Sequence, residues 1–552
     1  MTHHPPTGFR GVWHHGSEAA RLARQVSGPF TCSPMAWAAP VDTESLQLLL
    51  RHAADTGTPL IARGAGTGMP GGNLGPGIIV TMTGSTAGSA DGSEAGSADG
   101  SEAGSADGSE DDFADGFRHL GPVQVGPEVR NGVGGRIRVG AGVPAALVDA
   151  RAADHGLTFP PLPSSARWAT VGGMVANNAA GARSFGYGAV ARWVEGVEGI
   201  TADGERLVLR RGAASSTAGL PESVAHALPS RLPRDWPRLR KNSSGYGLDR
   251  WLTSGDAVDL AVGSEGTLLL VTHATLRLAP RLPARGVALV PVFGDAEAGA
   301  MALAAGELGA SACEFLGRRL LEMIGLDRDP ELGSLVGGAR ALLLLEFEGT
   351  DTEGVHEALS RAESRGRAIT GRRGVVTADA EFVDRLWALR HRASPLIAEM
   401  AGRGLYSTQF IEDSVVPPGE LGSYLTGVDQ IMQGEGRGMD AVVFGHAGDG
   451  NVHVNPLVDT SDPRWMDRVR EILAAVAELV AGLGGTLAGE HGDGRLRAPL
   501  LDTIWSGEAV RDFRRLKNAF DPEGLLNPGV ILPLPGQDPL EGLRPGSRSW
   551  PG

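Results

Sequence analysis

Residues 163–181 read Pro163-Ser-Ser-Ala-Arg-Trp-Ala-Thr-Val-Gly-Gly-Met-Val-Ala-Asn-Asn-Ala-Ala-Gly181. Hydroxyls, amides and glycines crowd together here, and so little side-chain bulk leaves backbone N–H groups open to a ligand. Two other stretches share this character. Upstream, Arg63-Gly-Ala-Gly-Thr-Gly68 is followed by Gly71-Gly-Asn-Leu-Gly-Pro-Gly77; downstream lies Val262-Gly-Ser-Glu-Gly-Thr267. Any one of these alone is most simply a surface turn. Three of them inside otherwise apolar sequence could together wrap a dinucleotide. The first is not a Rossmann fingerprint, because its helix lies before the loop. It is not a Walker A loop either, because no Lys-Ser/Thr follows.

Working outward, Asp42 is placed to cap a short helix whose apolar stripe is Leu46, Leu49, Leu50 and Ala53, ended by Gly57. A strand over 59–62 then feeds the glycine loop, and Ile78-Ile-Val-Thr-Met82 follows as another strand. Further strands and helices are expected at 136–139 and 144–154, with a hairpin over 194–211 turning at Asp203-Gly204. The Pro- and Arg-rich segment 279–285 marks a domain boundary. Beyond it, strands such as 340–347 alternate with helices, which predicts an α+β unit. A late helix starts with Pro463 in its first turn and buries Met466, Val469, Ile472, Leu473, Val476, Leu479 and Val480.

The 552 residues are too many for one core, and 41% hydrophobic content excludes wholesale disorder. Nine acidic residues and no basic one lie between Gly84 and Phe117, so the rest of the chain carries −6 of the formal −15. The formal −15 argues against a nucleic-acid partner, whose phosphate backbone demands basic surface, and −6 is what an ordinary enzyme could carry. Most of the local acid belongs to a GSADGSEA repeat with no apolar face to stack, read as a flexible insertion over 84–117. Cys32 and Cys313 form no metal or disulfide pattern, which suggests reduced thiols in the cytoplasm. No apolar run is long enough to span a bilayer, so no transmembrane segment is expected. The first 34 residues, with His3, His4, His14 and His15, read as an extension without a signal peptide's apolar region.

The strongest chemical signal is His446-Ala-Gly-Asp-Gly-Asn-Val-His453. Strand, sharp turn and strand would bring both imidazoles to one side of a pocket. Gly489-Glu-His-Gly-Asp-Gly494 adds a carboxylate beside another imidazole. Two His and one Glu make an open ligand set that leaves room for a substrate. A single histidine is more often a plain hydrogen-bonded one, and Asp between glycines is typical of turns. Both motifs arriving in the half that lacks the glycine loops shifts the balance.

In this order, these elements resemble the FAD-linked oxidases of the vanillyl-alcohol-oxidase fold, in the branch of the glycolate oxidase FAD subunit, D-lactate dehydrogenase and D-2-hydroxyglutarate dehydrogenase. The resemblance covers roughly residues 35–532 and rests on HxGDGNxH, GEHGxG and the glycine loops. It implies an α+β fold: a two-subdomain FAD-binding domain of the PCMH type over 35–280, then an α+β substrate-covering cap over 281–532. A short FAD-contacting C-terminal segment closes it, and 533–552 form a tail. It implies that Arg63, Gly64, Ala65, Gly66, Thr67, Gly71, Gly72 and Asn73 cradle the pyrophosphate. Pro163, Ser164, Thr170, Gly173, Asn177 and Gly181 would line the flavin, with Glu265 and Gly266 on the adenine side. Asn527, in Leu526-Asn-Pro-Gly529, would approach the flavin. By position, His446, His453 and Glu490 are ligands of a divalent metal, zinc or manganese, and His491 is the general base. Asn455 resembles a substrate-contacting residue. Leu386-Trp-Ala-Leu-Arg-His-Arg-Ala-Ser394 resembles the substrate segment, with Arg390 forking a carboxylate and Ser394 where a Thr often stands.

Three departures stand out: a short entry before Ala39, the acidic insertion, and Ile411-Glu-Asp413 where several members have a Lys. That last pattern resembles the subgroup partnered with an iron–sulfur protein. No cluster cysteines occur here, so an iron–sulfur, quinone or cytochrome acceptor would be separate, and could hold the chain at a membrane periphery. The implied activity is oxidation of a D-2-hydroxy acid, D-lactate first, with non-covalent FAD because the first loop contains no His. D-2-hydroxyglutarate or glycolate dehydrogenase subunits, an oxygen-using oxidase and a non-catalytic FAD-binding electron-transfer subunit stay open as alternatives.

Overall fold

The computed structural model describes residues 4–84, 116–130, 132–435 and 438–544. The acidic repeat, and with it nearly all of the 84–117 insertion, lies outside the described residues.

Three sheets make the molecule. The first takes strands β1 (Gly11–His15), β2 (Ala36–Pro40), β3 (Leu60–Arg63) and β4 (Ile78–Thr81) in the order β1-β2-β4-β3. β2 and β3 both run parallel to β4, which demands a crossover between them. Helix Thr43–Thr56 provides it: the Asp42 carboxylate accepts from Ser45 N and Gly57 closes the end in the left-handed region, as expected. Leu46, Leu49, Leu50 and Ala53 pack on one face of this sheet, against Ala36, Ala38, Leu60, Ile78 and Val80.

The second sheet is antiparallel and runs β5 (Gln124–Arg130), β6 (Val133–Gly140), β10 (Leu270–Pro280), β8 (Val194–Ile200), β9 (Arg206–Arg210), with β7 (Leu157–Thr158) paired to β10. β8 and β9 are the expected hairpin, in register from Gly196 with Arg210 to Ile200 with Arg206. The third sheet has seven antiparallel strands: β11 (Ala284–Val292), β12 (Ala312–Gly317), β13 (Ala341–Gly349), β14 (Val375–Thr377), β15 (Leu405–Ser407), β16 (Ala441–His446) and β17 (Asn451–Asp459). Their order is β14-β11-β13-β12-β16-β17-β15, with helices packed on both faces.

The structure redraws four expectations. The segment 1–34 is not a mere extension, because β1 pairs with β2 along its whole length. The tail from 533 is tied down as far as Arg544, whose backbone N–H donates to Pro29 O at 3.0 Å. The late helix begins at Trp465, with Pro463 just ahead of its N-cap Arg464. Within 281–532, helix Gly507–Phe520 leaves the third sheet and returns to the second. Its Val510, Phe513, Leu516 and Phe520 share a core with Ile137, Val197 and Leu276. That amphipathic face has nowhere else to be buried. Beyond it, Leu60 N donates to Leu525 O and Asn527 N to Leu60 O, each at 2.8 Å, so the chain end docks on edge strand β3.

Phe513 is fully buried among Trp236, Trp505 and Tyr246. Phe513→Ala should cost about 3–5 kcal/mol and lower the thermal midpoint read by scanning fluorimetry. An unchanged midpoint would show that the returning helix does not anchor the second sheet.

Candidate active site

A cavity of about 1670 Å³ opens where the three sheets meet. Pockets for single small ligands run to roughly 1,000 Å³, so there is room for a dinucleotide and a substrate together. One wall is built from the glycine loops. Gly64 lies so close to Thr170 that a Cβ would stand 2.5 Å from the threonine Oγ1, and a Cβ on Gly181 would meet Leu162 O at 2.1 Å. Glycine is required for these backbones to approach. Thr170 in turn caps helix Val171–Asn177, its hydroxyl accepting from Gly173 N at 3.3 Å.

The facing wall carries His446 at the end of β16 and His453 in β17. The strands pair His446 with Asn451 and Phe444 with His453, and the rings sit 5.2 Å apart. Gly450 turns between them at φ +72°, where a Cβ would lie 2.0 Å from Val416 O. Glu490 Oε1 lies 3.1 Å from His446 Nε2 and 3.4 Å from His453 Nε2. Both Nδ1 atoms are held from behind, His446 by Glu314 Oε1 at 2.6 Å and His453 by the Glu412 carbonyl at 2.7 Å. With protons on Nδ1, both Nε2 lone pairs aim at the Glu490 oxygen, as metal-binding histidines with fixed outer partners do. Donors on a tetrahedral ion with bonds of about 2.0–2.1 Å sit roughly 3.3 Å apart. The donor set therefore fits a divalent cation.

The electrostatics agree. Burial pushes the His446 imidazole down, but Glu314 and Glu490 outweigh it and raise it to about 9. Burial pushes the Glu490 carboxyl up, yet Lys241 and His446 hold it well below the usual carboxylate range. Lys241 Nζ stands 2.5 Å from Glu490 Oε2.

His491 follows the carboxylate in sequence but not in partners. Its ring stacks on His453 at 5.5 Å, Nδ1 lies 2.8 Å from Glu412 Oε2, and Nε2 is 3.7 Å from Glu490 Oε1. Burial lowers its pKa, and Glu412 and Asp413 overturn that and lift it to about 9. Asp413 fixes the loop by accepting from Glu490 N at 3.1 Å and His491 N at 2.8 Å.

Arg390, Ser394 and Asn455 line the same cavity. Arg390 donates its Nε to Glu314 Oε2 at 2.6 Å, and its guanidinium lies over the Phe444 ring. Asn455 accepts from Ser407 Oγ at 3.1 Å and donates to the His453 carbonyl. Among the glycine-loop residues, Arg63, Gly64, Ala65, Gly66, Thr67, Gly72, Asn73, Pro163, Ser164, Thr170, Gly173, Asn177, Gly181, Glu265 and Gly266 line it, and Gly71 does not.

Three expected roles change in detail. Arg63 turns its guanidinium away, over Trp37 and onto the carbonyls of Ala23 and Gln25, so only its backbone is available to the cavity. Asn527 is fully buried behind the wall, where its amide donates to Gly72 O and Glu265 O at 2.8 Å each. Two loops that must lie side by side need that donor more than an open cavity does. Glu265 accepts from Asp493 N at 2.7 Å and Gly494 N at 2.9 Å, which sets it against the His491 loop.

Sequence reasoning missed Lys241, Glu314 and Arg497 and read Glu412 only as a departure. Glu314 had a signal, a carboxylate in the otherwise apolar strand Ala312–Gly317. Lys241 had one too, as one of two lysines in an arginine-rich chain.

A cavity walled by glycine loops and faced by a histidine–carboxylate cluster defines a flavin-dependent oxidoreductase. Residues 280–531 match the C-terminal domain of FAD linked oxidases and residues 128–210 match the FAD binding domain. The D-lactate dehydrogenase of Archaeoglobus fulgidus is 32% identical over 71% of this chain and 76% of its own. The glycolate oxidase subunit GlcD of Bacillus subtilis is 30% identical over 68% and 71%. The chain belongs to the FAD-linked oxidase family. Its fold is also that of the 4-ethylphenol oxidase from Gulosibacter chungangensis, with a TM-score of 0.60 over 96% of this chain and 99% of that one at 15% identity.

Burial, aided by Asp493, pushes the Glu265 carboxyl up to about 8. The folded protein then holds a proton that the unfolded chain releases near its ordinary value. The stability this contributes is complete below about 4.5 and is lost as pH rises through about 8. Glu265→Gln should flatten the fall in thermal midpoint across that window, at equal FAD loading. An unaltered slope would place the proton elsewhere.

Proposed function

We propose that the chain is a dehydrogenase of D-2-hydroxy acids, dependent on FAD and a divalent metal, with D-lactate the first substrate to test. The observation that carries this reading is the convergence of His446, His453, Glu490 and His491 on the wall opposite the glycine loops. An electron-transfer subunit without chemistry of its own would need no such cluster.

In this reading His446, His453 and Glu490 hold the metal. Two nitrogens and one carboxylate oxygen suit zinc or manganese. When bound, the ion would chelate the substrate's hydroxyl and carboxylate and lower the hydroxyl pKa. His491 presents Nε2 to the hydroxyl proton, and the Glu412 carboxylate at Nδ1 stabilises the imidazolium that forms. Arg390, already braced by Glu314, offers its remaining nitrogens to the carboxylate, and Ser394 and Asn455 complete the lining. Arg63–Thr67, Gly71–Asn73, the 163–181 loop, Glu265 and Gly266 form the cradle for the cofactor, with Asn527 bracing it from behind. FAD, held without a covalent bond, would accept the α-hydride. Electrons would leave to a separate iron–sulfur, quinone or cytochrome acceptor. Among the described residues no helix is long and apolar enough to cross a membrane. Glycolate and D-2-hydroxyglutarate belong in the substrate panel, since relatives carry those names.

Two variants separate ligand from base. Glu490→Ala should lose metal, measured by elemental analysis, together with turnover. His491→Ala should keep metal and FAD yet slow anaerobic flavin reduction by about 10²–10⁴-fold. Wild-type reduction in His491→Ala would place the base elsewhere. Chelation should stop turnover while leaving the flavin spectrum in place; full activity in verified metal-free protein would remove the metal from the mechanism.

A further inference from the structure

We infer that Glu412 is the positioning residue of this site, holding the His491 ring so that Nε2 rather than Nδ1 faces the substrate. The inference rests on the reading of His491 as base.

Glu412 is 3% exposed, and both of its carboxylate oxygens are engaged. Oε2 lies 2.8 Å from His491 Nδ1, and Oε1 accepts from Arg497 Nη2 at 2.7 Å. Arg497 is itself 2% exposed, and its other arm donates to the Gly492 carbonyl. A carboxylate paired with a buried guanidinium stays an acceptor, so in the neutral imidazole, the form that acts as base, Nδ1 carries the proton and the lone pair sits on Nε2. The pairing also fixes the ring plane, because Glu412 cannot turn without abandoning Arg497. The backbone beneath is fixed separately, by Asp413 accepting from His491 N at 2.8 Å. The Glu412 carboxylate is therefore committed to His491 and Arg497, while its backbone carbonyl holds His453 Nδ1. Glu412 lines the cavity with its Oε2 3.7 Å from His453 Nδ1, but its side-chain hydrogen bonds go to the His491 ring and to Arg497, and it acts through that imidazole.

Glu412→Leu alone would strand Arg497 without its partner and could unfold the chain. The test is the pair Glu412→Leu/Arg497→Met, which removes both charges together. FAD content, metal content, thermal midpoint and affinity for the 2-oxo acid, read from the flavin difference spectrum, should stay near wild type. Anaerobic flavin reduction should slow by about 10²–10³-fold. In a His491→Ala background the same pair should change the rate by less than about twofold, because residues that act as a unit are not additive. Should the pair fail to fold, Glu412→Gln keeps the volume and one acceptor oxygen. It should slow reduction about tenfold, and that loss too should vanish in the His491→Ala background. A full-strength loss added to His491→Ala would mean a structural role and overturn the inference. So would loss of metal, which would make Glu412 a ligand. A wild-type rate in the pair, with His491→Ala slow, would overturn it while leaving the base in place. A wild-type rate in His491→Ala would instead defeat the underlying reading.

Discussion

Four carboxylates, Glu314, Glu412, Asp413 and Glu490, are buried within one small region. An interior holding that much negative charge must give each oxygen a cation or a donor, or the fold does not form. Here Arg390 and His446 serve Glu314, Arg497 and His491 serve Glu412, and Lys241 and His446 serve Glu490. Asp413 is served by Asn451 and two backbone N–H groups. Removing one partner from such a pair typically costs about 3–5 kcal/mol, since the other charge is left buried. The site and the local fold are thus parts of one balance.

That balance dictates which segments must meet. Lys241, Ser243 and Gly245 come from the first half of the chain, yet Lys241 pairs with Glu490, Ser243 Oγ accepts from Gly492 N, and Gly245 N donates to Asp493. Asn177 reaches the His491 carbonyl, and Glu265 accepts from the N–H groups of Asp493 and Gly494. His446 and His453, by contrast, belong to the third sheet. His446 and His453 are thus carried by one sheet, while the loop holding Glu490 and His491 is gripped by residues from the glycine-loop half of the chain. The cluster is complete only when residues from both halves of the chain are packed together.

Much of this was readable in sequence because short-range physics set it. The Asp42 cap, the Asp203-Gly204 hairpin and the His446–His453 turn each depend on residues within a few positions of one another. The glycine loops were readable because only glycine tolerates the backbone approaches at Gly64 and Gly181. What stayed hidden depends on distant partners. Nothing near Lys241 announces Glu490, and nothing near Glu412 announces Arg497. The return of helix Gly507–Phe520 to the second sheet was hidden for the same reason: an amphipathic face states that it will be buried, not against what. Arg63 and Asn527 show the limit of positional reading. Each occupies the expected loop, but neighbouring carbonyls claim its side chain.

The segment Gly489-Glu-His-Gly492 shows how adjacent side chains acquire different work. A Cβ on Gly489 would stand 2.5 Å from Asn451 Nδ2, and one on Gly492, at φ +84°, would stand 2.7 Å from the Glu265 carboxyl carbon. The chain must squeeze between those two fixed points, and only glycine passes at either end. Pinned there, Glu490 is presented to the two histidines of the third sheet and to Lys241, while His491 meets Glu412 and stacks on His453. Three imidazoles of identical intrinsic chemistry are then distinguished by what stands behind Nδ1. His446 has a carboxylate shared with an arginine, His453 has a neutral carbonyl, and His491 has a carboxylate committed to a second arginine. The first two turn Nε2 on the Glu490 oxygen from the same strand pair. The third, on the opposite loop, lies farther from that oxygen and lines the cavity beside it. Geometry imposed by two glycines, more than the identity of the residues between them, gives Glu490 and His491 different partners.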